Sequence, residues 1–248
     1  MAYKMIPLQL FLLIGFTACV RGNLDPCYRA GVVEHLRLGR DLPINHSDIY
    51  QYVRENLKVY DQIASDASQN GVQILVFGEE SIFQAEESTN PSLTVRQATR
   101  QLCENLPNVN NGEQFNPCDE VRLDMPINNH LSCLAKSSNL YLVAQLCDVQ
   151  FCSNDADPNC PIDSQYMYNT QVVYGPDGRL VAKYHKHHLF GELQYDVPDQ
   201  EYVVFDTPIG RMGLFVCFDK IWKAPGVELA ENGSVDTVRI MHSQYANY

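Results

Sequence analysis

The sequence predicts a layered α/β domain, and three consecutive segments near its N-terminal end support that prediction. A strand is expected over residues 28–38, and a helix over 49–67, where apolar side chains recur at three- and four-residue spacing. Gly71 follows this helix, and glycine is common just past a helix C-terminus. Residues 72–77 form an almost continuous apolar run, which is typical of a buried strand. A strand, a helix and a buried strand in this order begin a layered α/β domain.

The rest of the chain continues the alternation of helices and strands. Residues 175–178 (Gly-Pro-Asp-Gly) separate two strand-like segments, and they predict a hairpin because Gly and Asp tolerate turn conformations. Residues 206–210 separate a second pair of strands in the same way. The other predicted elements are short helices at 94–103, 130–137 and 227–231, strands at 140–146, 166–174, 179–184, 202–205 and 212–218, and a last strand from Val235.

The charge of the chain argues against nucleic acid as a partner. The 248 residues include 18 Lys and Arg against 30 Asp and Glu, which gives a formal net charge of −12. Proteins that bind phosphate backbones are usually basic, and the sequence has no Lys/Arg cluster. A hydrophobic content of 45% is ordinary for a folded protein, and the length suits one substantial domain.

The N-terminal residues 1–22 predict a secretory signal peptide. Lys4 precedes an apolar run that ends at Val20, and Val20 and Gly22 occupy the −3 and −1 positions of a cleavage site. A membrane anchor is the alternative, but the apolar run is short for a membrane span. We therefore expect a secreted chain with one domain over 23–248, without a transmembrane span. Sequons for N-glycosylation at Asn45 and Asn232 agree with export.

Three polar residues stand at the ends of predicted strands or just past them. Glu79 follows the buried strand at 72–77, Lys186 follows the second strand of the first hairpin, and Cys217 lies at the end of the second hairpin. In α/β sheets, catalytic groups gather at strand ends, where rigid elements hold side chains over a crevice. A carboxylate, an ammonium group and a thiol at such positions suit nucleophilic catalysis.

These residues stand in segments that resemble the nitrilase superfamily of carbon–nitrogen hydrolases. The segments are ILVFGEESIF, RLVAKYHKHHLFGE and GLFVCFDKIW. The motifs at 131–136 (LSCLAK), 152–161 and 168–170 (YNT) resemble the vanin and biotinidase branch of that superfamily. The similarity runs from about Tyr28 to Val238. It implies an α-β-β-α sandwich and the hydrolysis of a linear amide, either pantetheine-like or biotin-linked.

The resemblance also implies a role for each site residue. Glu79 is the general base, Lys186 stabilises the developing negative charge, and Cys217 is the nucleophile. Glu192 matches a further family glutamate, which we expect to orient Lys186 and to help place the substrate. The family chemistry uses neither a cofactor nor a metal, so the expected partner is a small amide. The chemistry needs these residue types, because an amide is a poor electrophile and its attacker must be a thiolate.

The cysteines agree with an oxidising compartment. Nine occur in the sequence, and Cys19 lies within the predicted signal peptide. By the resemblance, Cys118 pairs with Cys133 and Cys152 pairs with Cys160, while Cys217 stays reduced in order to react. An odd number then remains, so at least one further thiol is unpaired or bonds between chains; the three are Cys27, Cys103 and Cys147.

Two rival functions stay open at this point. The chain could be a non-catalytic secreted glycoprotein that keeps the hydrolase scaffold as a binding module. It could also be a metal-dependent hydrolase, because His185, His187 and His188 cluster in the sequence. Zinc sites usually place histidines at helical i,i+4 spacing or supply further ligands, and none is identifiable here.

The sequence departs from the family pattern at two places. Gly78 stands where the branch has proline, which gives the backbone before Glu79 more freedom. The resemblance also stops after Val238, and Arg239 falls where a buried strand should stay apolar. We therefore expect a sandwich that is incomplete on its C-terminal side. A weakly active or inactive product, and self-association through an uncovered sheet face, are the expected consequences.

Overall fold

A computed structural model of the chain describes residues 12–19, 27–34, 49–83, 94–232 and 237–241. Four α-helices and nine strands lie in these ranges, together with three short 3-10 or π segments. The helices are α1 (Ile49–Gln69), α2 (Val95–Arg100), α3 (Pro126–Ser138) and α4 (Glu228–Glu231). The strands are β1 (Leu12–Cys19), β2 (Cys27–Glu34), β3 (Ile74–Val76), β4 (Tyr141–Phe151), β5 (Gln165–Tyr174), β6 (Leu180–His185), β7 (Val204–Thr207), β8 (Gly210–Val216) and β9 (Thr237–Met241).

The strands form two sheets. The larger sheet has the order β1-β2-β3-β4-β5-β6, in which β2, β3 and β4 are parallel and the other neighbours are antiparallel. The smaller sheet has the order β7-β8-β9, antiparallel and then parallel. Parallel pairing in the middle of the larger sheet requires crossovers, and α1 and α3 lie in the crossover segments before β3 and β4.

The larger sheet is covered on one face by helices and on the other by the smaller sheet. Leu75 of β3 packs with α1 and α3, and the ring of the neighbouring Phe77 stacks on Tyr60 with 3.5 Å between centroids. Ile74 and Val76 point to the opposite face, because side chains alternate along a strand, and they pack against β8. Both faces of β3 are therefore buried, which explains its continuous apolar sequence.

The outer face of the smaller sheet is approached by the segment after β8. Gly226 lies so close to the ring of Phe215 that a Cβ at this glycine would come within 3.1 Å of ring carbons. Leu229 of α4 is buried in the same region. The layers seen are thus helices, sheet and sheet, with a further helical segment outside, which confirms the predicted α/β class and its nitrilase-type layering.

Most predicted elements are present, with different bounds. Both hairpins form, and the helix predicted at 49–67 extends to Gln69. The strand predicted at 140–146 continues to Phe151, since β5 pairs with it from Leu142 to Phe151. The strand predicted at 28–38 is described only as Cys27–Glu34, and 35–38 lie outside the described residues. β1 falls within the predicted signal peptide and pairs with β2, so removal of 1–22 stays a prediction.

Three disulfides cross-link the described chain. Cys118–Cys133 and Cys152–Cys160 confirm the two pairings that the resemblance implied. The third, Cys103–Cys147, joins two of the three cysteines left open and ties the segment after α2 to β4. The side chain of Cys27 is outside the described residues.

In the described part of the chain, no helix combines the length and apolar character needed to cross a membrane.

Candidate active site

Glu79 lies two residues beyond Phe77, at the end of the parallel pair β3 and β4. The amide of Phe77 donates to the carbonyl of Val143 at 2.9 Å and so continues the ladder towards the glutamate. The following turn is tied down, because Ser81 Oγ donates to the carbonyl of Gly78 at 2.6 Å and the amide of Glu80 donates to Gln145 Oε1 at 3.2 Å. Glu79 is 4% exposed, so its carboxylate depends on partners within the protein.

Those partners are Lys186 and Asn169. Lys186 Nζ lies 2.6 Å from Glu79 Oε1, and Asn169 Nδ2 donates to the same oxygen at 2.8 Å. Asn169 also accepts the backbone amide of Lys186 at 2.8 Å, through its own carbonyl. One residue of β5 therefore fixes both the carboxylate and the backbone of the lysine.

Glu192 binds Lys186 from the other side. Its Oε1 accepts from Lys186 Nζ, and its Oε2 accepts from the amide of Phe190 within the same tight loop. Gly191 supplies the positive φ of 79° that this loop requires. Lys186 is fully buried between the two carboxylates, and the orienting role of Glu192 stays a prediction.

The charges of this cluster perturb each other. Burial on its own lowers the pKa of Lys186, but Glu79 and Glu192 outweigh it and raise the pKa above its usual range, so the lysine stays cationic. Burial raises the pKa of Glu79, Lys186 opposes that rise, and Glu192 adds to it. Two carboxylates thus share one cation, and a carboxylate with raised proton affinity is better suited to act as a base.

Cys217 directly follows β8, lies outside the three disulfides and is half-buried. Its φ of 43° is in the left-handed region, which costs a non-glycine residue about 1–3 kcal/mol and is typical of functional turns. The sequence predicted a strand end here and gave no sign of this conformation.

Asp219 connects the Cys217 turn to the lysine segment. Its Oδ2 accepts from the hydroxyl of Tyr184 at 2.9 Å and from the amide of Val216 at 3.0 Å. Its Oδ1 lies 2.9 Å from the amide and 2.8 Å from Nδ1 of His188. These contacts hold the residues before and after Cys217 against residues 184 and 188, which flank Lys186. Glu79, Lys186 and Glu192 thus meet directly, and Asp219 brings the cysteine segment to them.

Sequence reasoning missed the roles of Asn169 and Asp219. Asn169 stands in the YNT motif and Asp219 stands two residues after the cysteine, so both lay within segments that carried the resemblance. Each is fully buried, and a buried polar residue of this kind is expected to hold specific partners. Burial was the missing signal, because an isolated Asn or Asp in a sequence is more often exposed.

The three histidines of the suspected metal cluster have separate hydrogen-bond partners, although the rings of His187 and His188 pack edge to face with 4.8 Å between centroids. His185 contacts Asp148 and Glu201, His187 contacts the carbonyl of Pro198, and His188 contacts Asp219. Within the described ranges, no three His, Cys, Asp or Glu side chains form a group that could hold a metal ion.

Aromatic rings border the cysteine and glutamate loops. Phe190 and Phe218 have ring centroids 4.8 Å apart, and Trp222 stacks on His188 at 4.7 Å. Phe190 and Trp222 are exposed. The polar cluster therefore has an apolar aromatic rim at its surface.

The fold and this cluster define the class of protein: the chain belongs to the carbon–nitrogen hydrolase family, whose model matches residues 41–239. More particularly, it is similar to biotinidase and pantetheinase. It is 38% identical to biotinidase of Takifugu rubripes over 90% of this chain and 43% of that protein. It is 33% identical to pantetheinase of Sus scrofa over 94% of this chain and 45% of the relative. It is 36% identical to pantetheinase of Mus musculus over 85% of this chain and 41% of the relative. The chain spans less than half the length of these relatives.

Solved structures share the fold. An amidase from Nesterenkonia sp. matches with a TM-score of 0.54 and 18% identity, over 87% of this chain and 64% of that one. A carbon-nitrogen hydrolase from Helicobacter pylori matches with a TM-score of 0.55 and 16% identity, over 86% of this chain and 59% of that one. At these identities the likeness concerns the fold alone.

Proposed function

We propose that this chain is a secreted amidase that hydrolyses a linear carbon–nitrogen amide bond through an acyl-enzyme on Cys217. The observation that carries the proposal is the buried contact of Lys186 with both Glu79 and Glu192, together with the hydrogen bonds by which Asp219, two residues after Cys217, holds His188, two residues after Lys186. Membership of the carbon–nitrogen hydrolase family supports the reaction class.

Each residue has a defined step in this reaction. Glu79 takes the thiol proton, and the sulfur of Cys217 attacks the amide carbon, so that a carbon–sulfur bond forms while the carbonyl electron pair moves to oxygen. Lys186 stabilises that oxyanion. Its ammonium group has three N–H donors, of which two bind Glu79 and Glu192, so the third is the donor that we assign to the oxyanion. The carbon–nitrogen bond then breaks, and the amine leaves with the proton from Glu79.

Water completes the cycle. Glu79 takes a proton from a water molecule, the hydroxide attacks the thioester carbon, and the carbon–sulfur bond breaks to release the acid. The thiolate regains its proton from Glu79, and the enzyme returns to its starting state. No redox step or cofactor is needed for this balance.

The substrate that we propose is pantetheine-like, giving pantothenate and cysteamine. Pantetheinases among the relatives support it, and a biotin amide is the alternative because a biotinidase is 38% identical, against 33% and 36% for the two pantetheinases. The aromatic rim of Phe190, Phe218 and Trp222 suits an apolar or thiol-bearing portion of either substrate.

Export is part of the same proposal. Three disulfides, the predicted signal peptide at 1–22 and the relatives support an extracellular location. Of the two sequons, Asn232 is exposed and Asn45 lies outside the described residues. Expression through a eukaryotic secretory pathway should release a chain that begins at residue 23 and loses mass on deglycosylation. The same material tests self-association through its size in solution.

The decisive experiment measures cysteamine and biotin release by this secreted chain. Glu79→Gln and Cys217→Ser should each lower kcat for the hydrolysed amide at least about 100-fold, while Glu120→Gln, at an exposed glutamate, should leave it unchanged. A non-catalytic glycoprotein predicts no release and no preferential alkylation of Cys217. A metal-dependent enzyme predicts loss of turnover with a chelator. Either result would reject the proposed mechanism.

A further inference from the structure

A second buried charged cluster lies on the opposite face of the sheet from Lys186. Side chains alternate along β6, so Tyr184 points towards the smaller sheet while Lys183 and His185 point to the helix-covered face. Asp148 of β4 lies on that same face and is fully buried. We call Asp148, Lys183, His185 and Glu201 the Asp148 network.

Opposite charges are balanced within this network. Lys183 Nζ lies 2.7 Å from Asp148 Oδ2, and His185 Nε2 lies 2.9 Å from the same oxygen. His185 Nδ1 lies 2.8 Å from Glu201 Oε1. Both ring nitrogens thus face carboxylates, and only the doubly protonated imidazolium donates to both. The ring of Tyr168 packs beside that of His185 and covers it.

The network also holds the backbone of His185. Glu201 Oε2 accepts the amide of His185 at 3.0 Å, on the side away from β5. Among the described strands β6 is the edge of the larger sheet, so no neighbouring strand accepts this amide. On the other side, Asn169 accepts the amide of Lys186. Two consecutive amides are therefore held from opposite sides, immediately before the lysine side chain begins.

We propose that His185, held by Asp148 and Glu201, is a positioning residue for Lys186. The inference rests on the proposed function of the Glu79–Lys186–Cys217 site. The network fixes the end of β6 from the back of the sheet, and this fixes the origin of the lysine side chain between Glu79 and Glu192. Misplacement of a catalytic group by about 1 Å can cost about 100-fold in rate, so a loosened strand end should reduce turnover without a change in substrate contacts.

His185→Gln tests this role, with His130→Gln as the matched control. His130 also pairs with a carboxylate, Asp61 at 2.7 Å, but it lies on α3 away from β6. His185→Gln should lower kcat about 10- to 100-fold with KM within about threefold, measured below its unfolding temperature. His130→Gln should keep both constants. Wild-type kcat in folded His185→Gln would overturn the inference.

Glu201 supplies a second pair of variants that does not depend on the folding of His185→Gln. Glu201 is partly exposed, and Glu201→Gln keeps an oxygen for the amide of His185, whereas Glu201→Ala does not. The glutamine variant should therefore retain more of kcat than the alanine variant. Equal kcat in the two variants would contradict the positioning role.

A measurement without turnover separates this inference from the proposed function. The sequence has seven lysines, so the ε-carbon resonance of Lys186 can be assigned in ¹³C-lysine-labelled protein by its loss in Lys186→Gln. His185→Gln should shift or broaden that resonance, and His130→Gln should leave it in place. If the wild-type chain hydrolyses no amide but the shift occurs, the proposed function fails and the inference holds. An unchanged Lys186 resonance overturns the inference whatever the turnover.

Discussion

Asn169 donates its side-chain amide to the same oxygen of Glu79 that binds Lys186, at 2.8 Å against 2.6 Å for the lysine. A neutral donor and a cation thus converge on one carboxylate oxygen. Both interactions favour the ionised form of Glu79 and oppose the effect of its burial. The asparagine therefore helps to set the pH at which Glu79 becomes a competent base.

Removal of the Asn169 amide should shift the acid limb of the pH profile for Cys217 alkylation towards higher pH. Asn169→Leu keeps a similar volume but loses the donor, so the pKa of Glu79 should rise further, and Asn169→Asp should raise it more by adding a like charge. The check is the rate of Cys217 alkylation by iodoacetamide as a function of pH. Asn154→Leu, in an exposed loop, is the control. A profile that stays in place in both Asn169 variants would show that this amide does not tune Glu79.

Glu104 should make stability depend on pH near neutrality. This buried carboxylate accepts the amides of Ile127 at 2.6 Å and Asn128 at 2.9 Å, and so caps the first turn of α3. Burial raises its pKa from 4.5 to about 7, although both amides act in the other direction. Because the folded pKa is the higher one, its contribution to stability is complete below pH 4.5 and is lost as the pH rises through 7.

The matched comparison is wild type against Glu104→Gln, whose amide does not titrate. The free energy of unfolding of wild type minus that of the variant should fall by about 3 kcal/mol between pH 4.5 and pH 8, at about 1.4 kcal/mol per pH unit. Urea denaturation at a series of pH values measures it, and the other titrating groups cancel in the difference. A difference that stays constant across this range would exclude Glu104 as the source.

The Cys103–Cys147 disulfide should stabilise the fold more than Cys152–Cys160. The first closes a loop with a separation of 44 residues and the second a loop of 8. On the chain-entropy account, removal costs about 4 kcal/mol for the longer loop and about 2.5 kcal/mol for the shorter one. Urea denaturation of the two double alanine variants checks the order. Equal losses would mean that effects other than loop closure dominate.

The layering was predictable from the sequence because the periodicity of apolar residues indicates which segments are helices or strands and which of their faces are buried. The buried run at 72–77 and the hairpin turn at 175–178 each satisfy a local rule, and both form as expected. The length of β4 was not predictable in this way. Its last residues are held by the pairing of Phe151 with Gln165, and the sequence of either strand alone does not state that contact.

In the site, too, some features could be predicted from the sequence and others could not. Motifs singled out Glu79, Lys186 and Glu192; the structure places the lysine in contact with both glutamates, and their catalytic roles stay predictions. The buried partners were not identifiable, since the burial of Asn169 and Asp219 depends on strands that are distant in sequence. The pairing of Cys103 with Cys147 likewise needed the position of β4, because three open cysteines allow several connectivities.

Asp219→Asn should disrupt the conformation of the turn at Cys217, although it only replaces one carboxylate oxygen by an NH₂ group. The carboxylate accepts four hydrogen bonds, two at each oxygen: from Tyr184 and Val216 at Oδ2, and from the amide and ring of His188 at Oδ1. An asparagine has one side-chain oxygen and one NH₂ group. Whichever way its amide is turned, the NH₂ group replaces one of the two acceptor oxygens, and the two hydrogen-bond donors at that position lose their acceptor. We expect a loss of kcat of about 100-fold or more, because the residues around the nucleophile lose their fixed geometry.

Tyr184→Phe is the graded comparison for this variant. It removes one of the four donors and leaves the carboxylate, so Asp219 keeps Val216 and His188. Loss of one such hydrogen bond costs about 1.5–3 kcal/mol in stability, and kcat should fall far less than in Asp219→Asn. Parallel measurements of kcat, Cys217 alkylation rate and unfolding temperature would separate the two effects. If Asp219→Asn lost stability alone, with alkylation and kcat unchanged while folded, then the turn at Cys217 would hold its shape without this carboxylate.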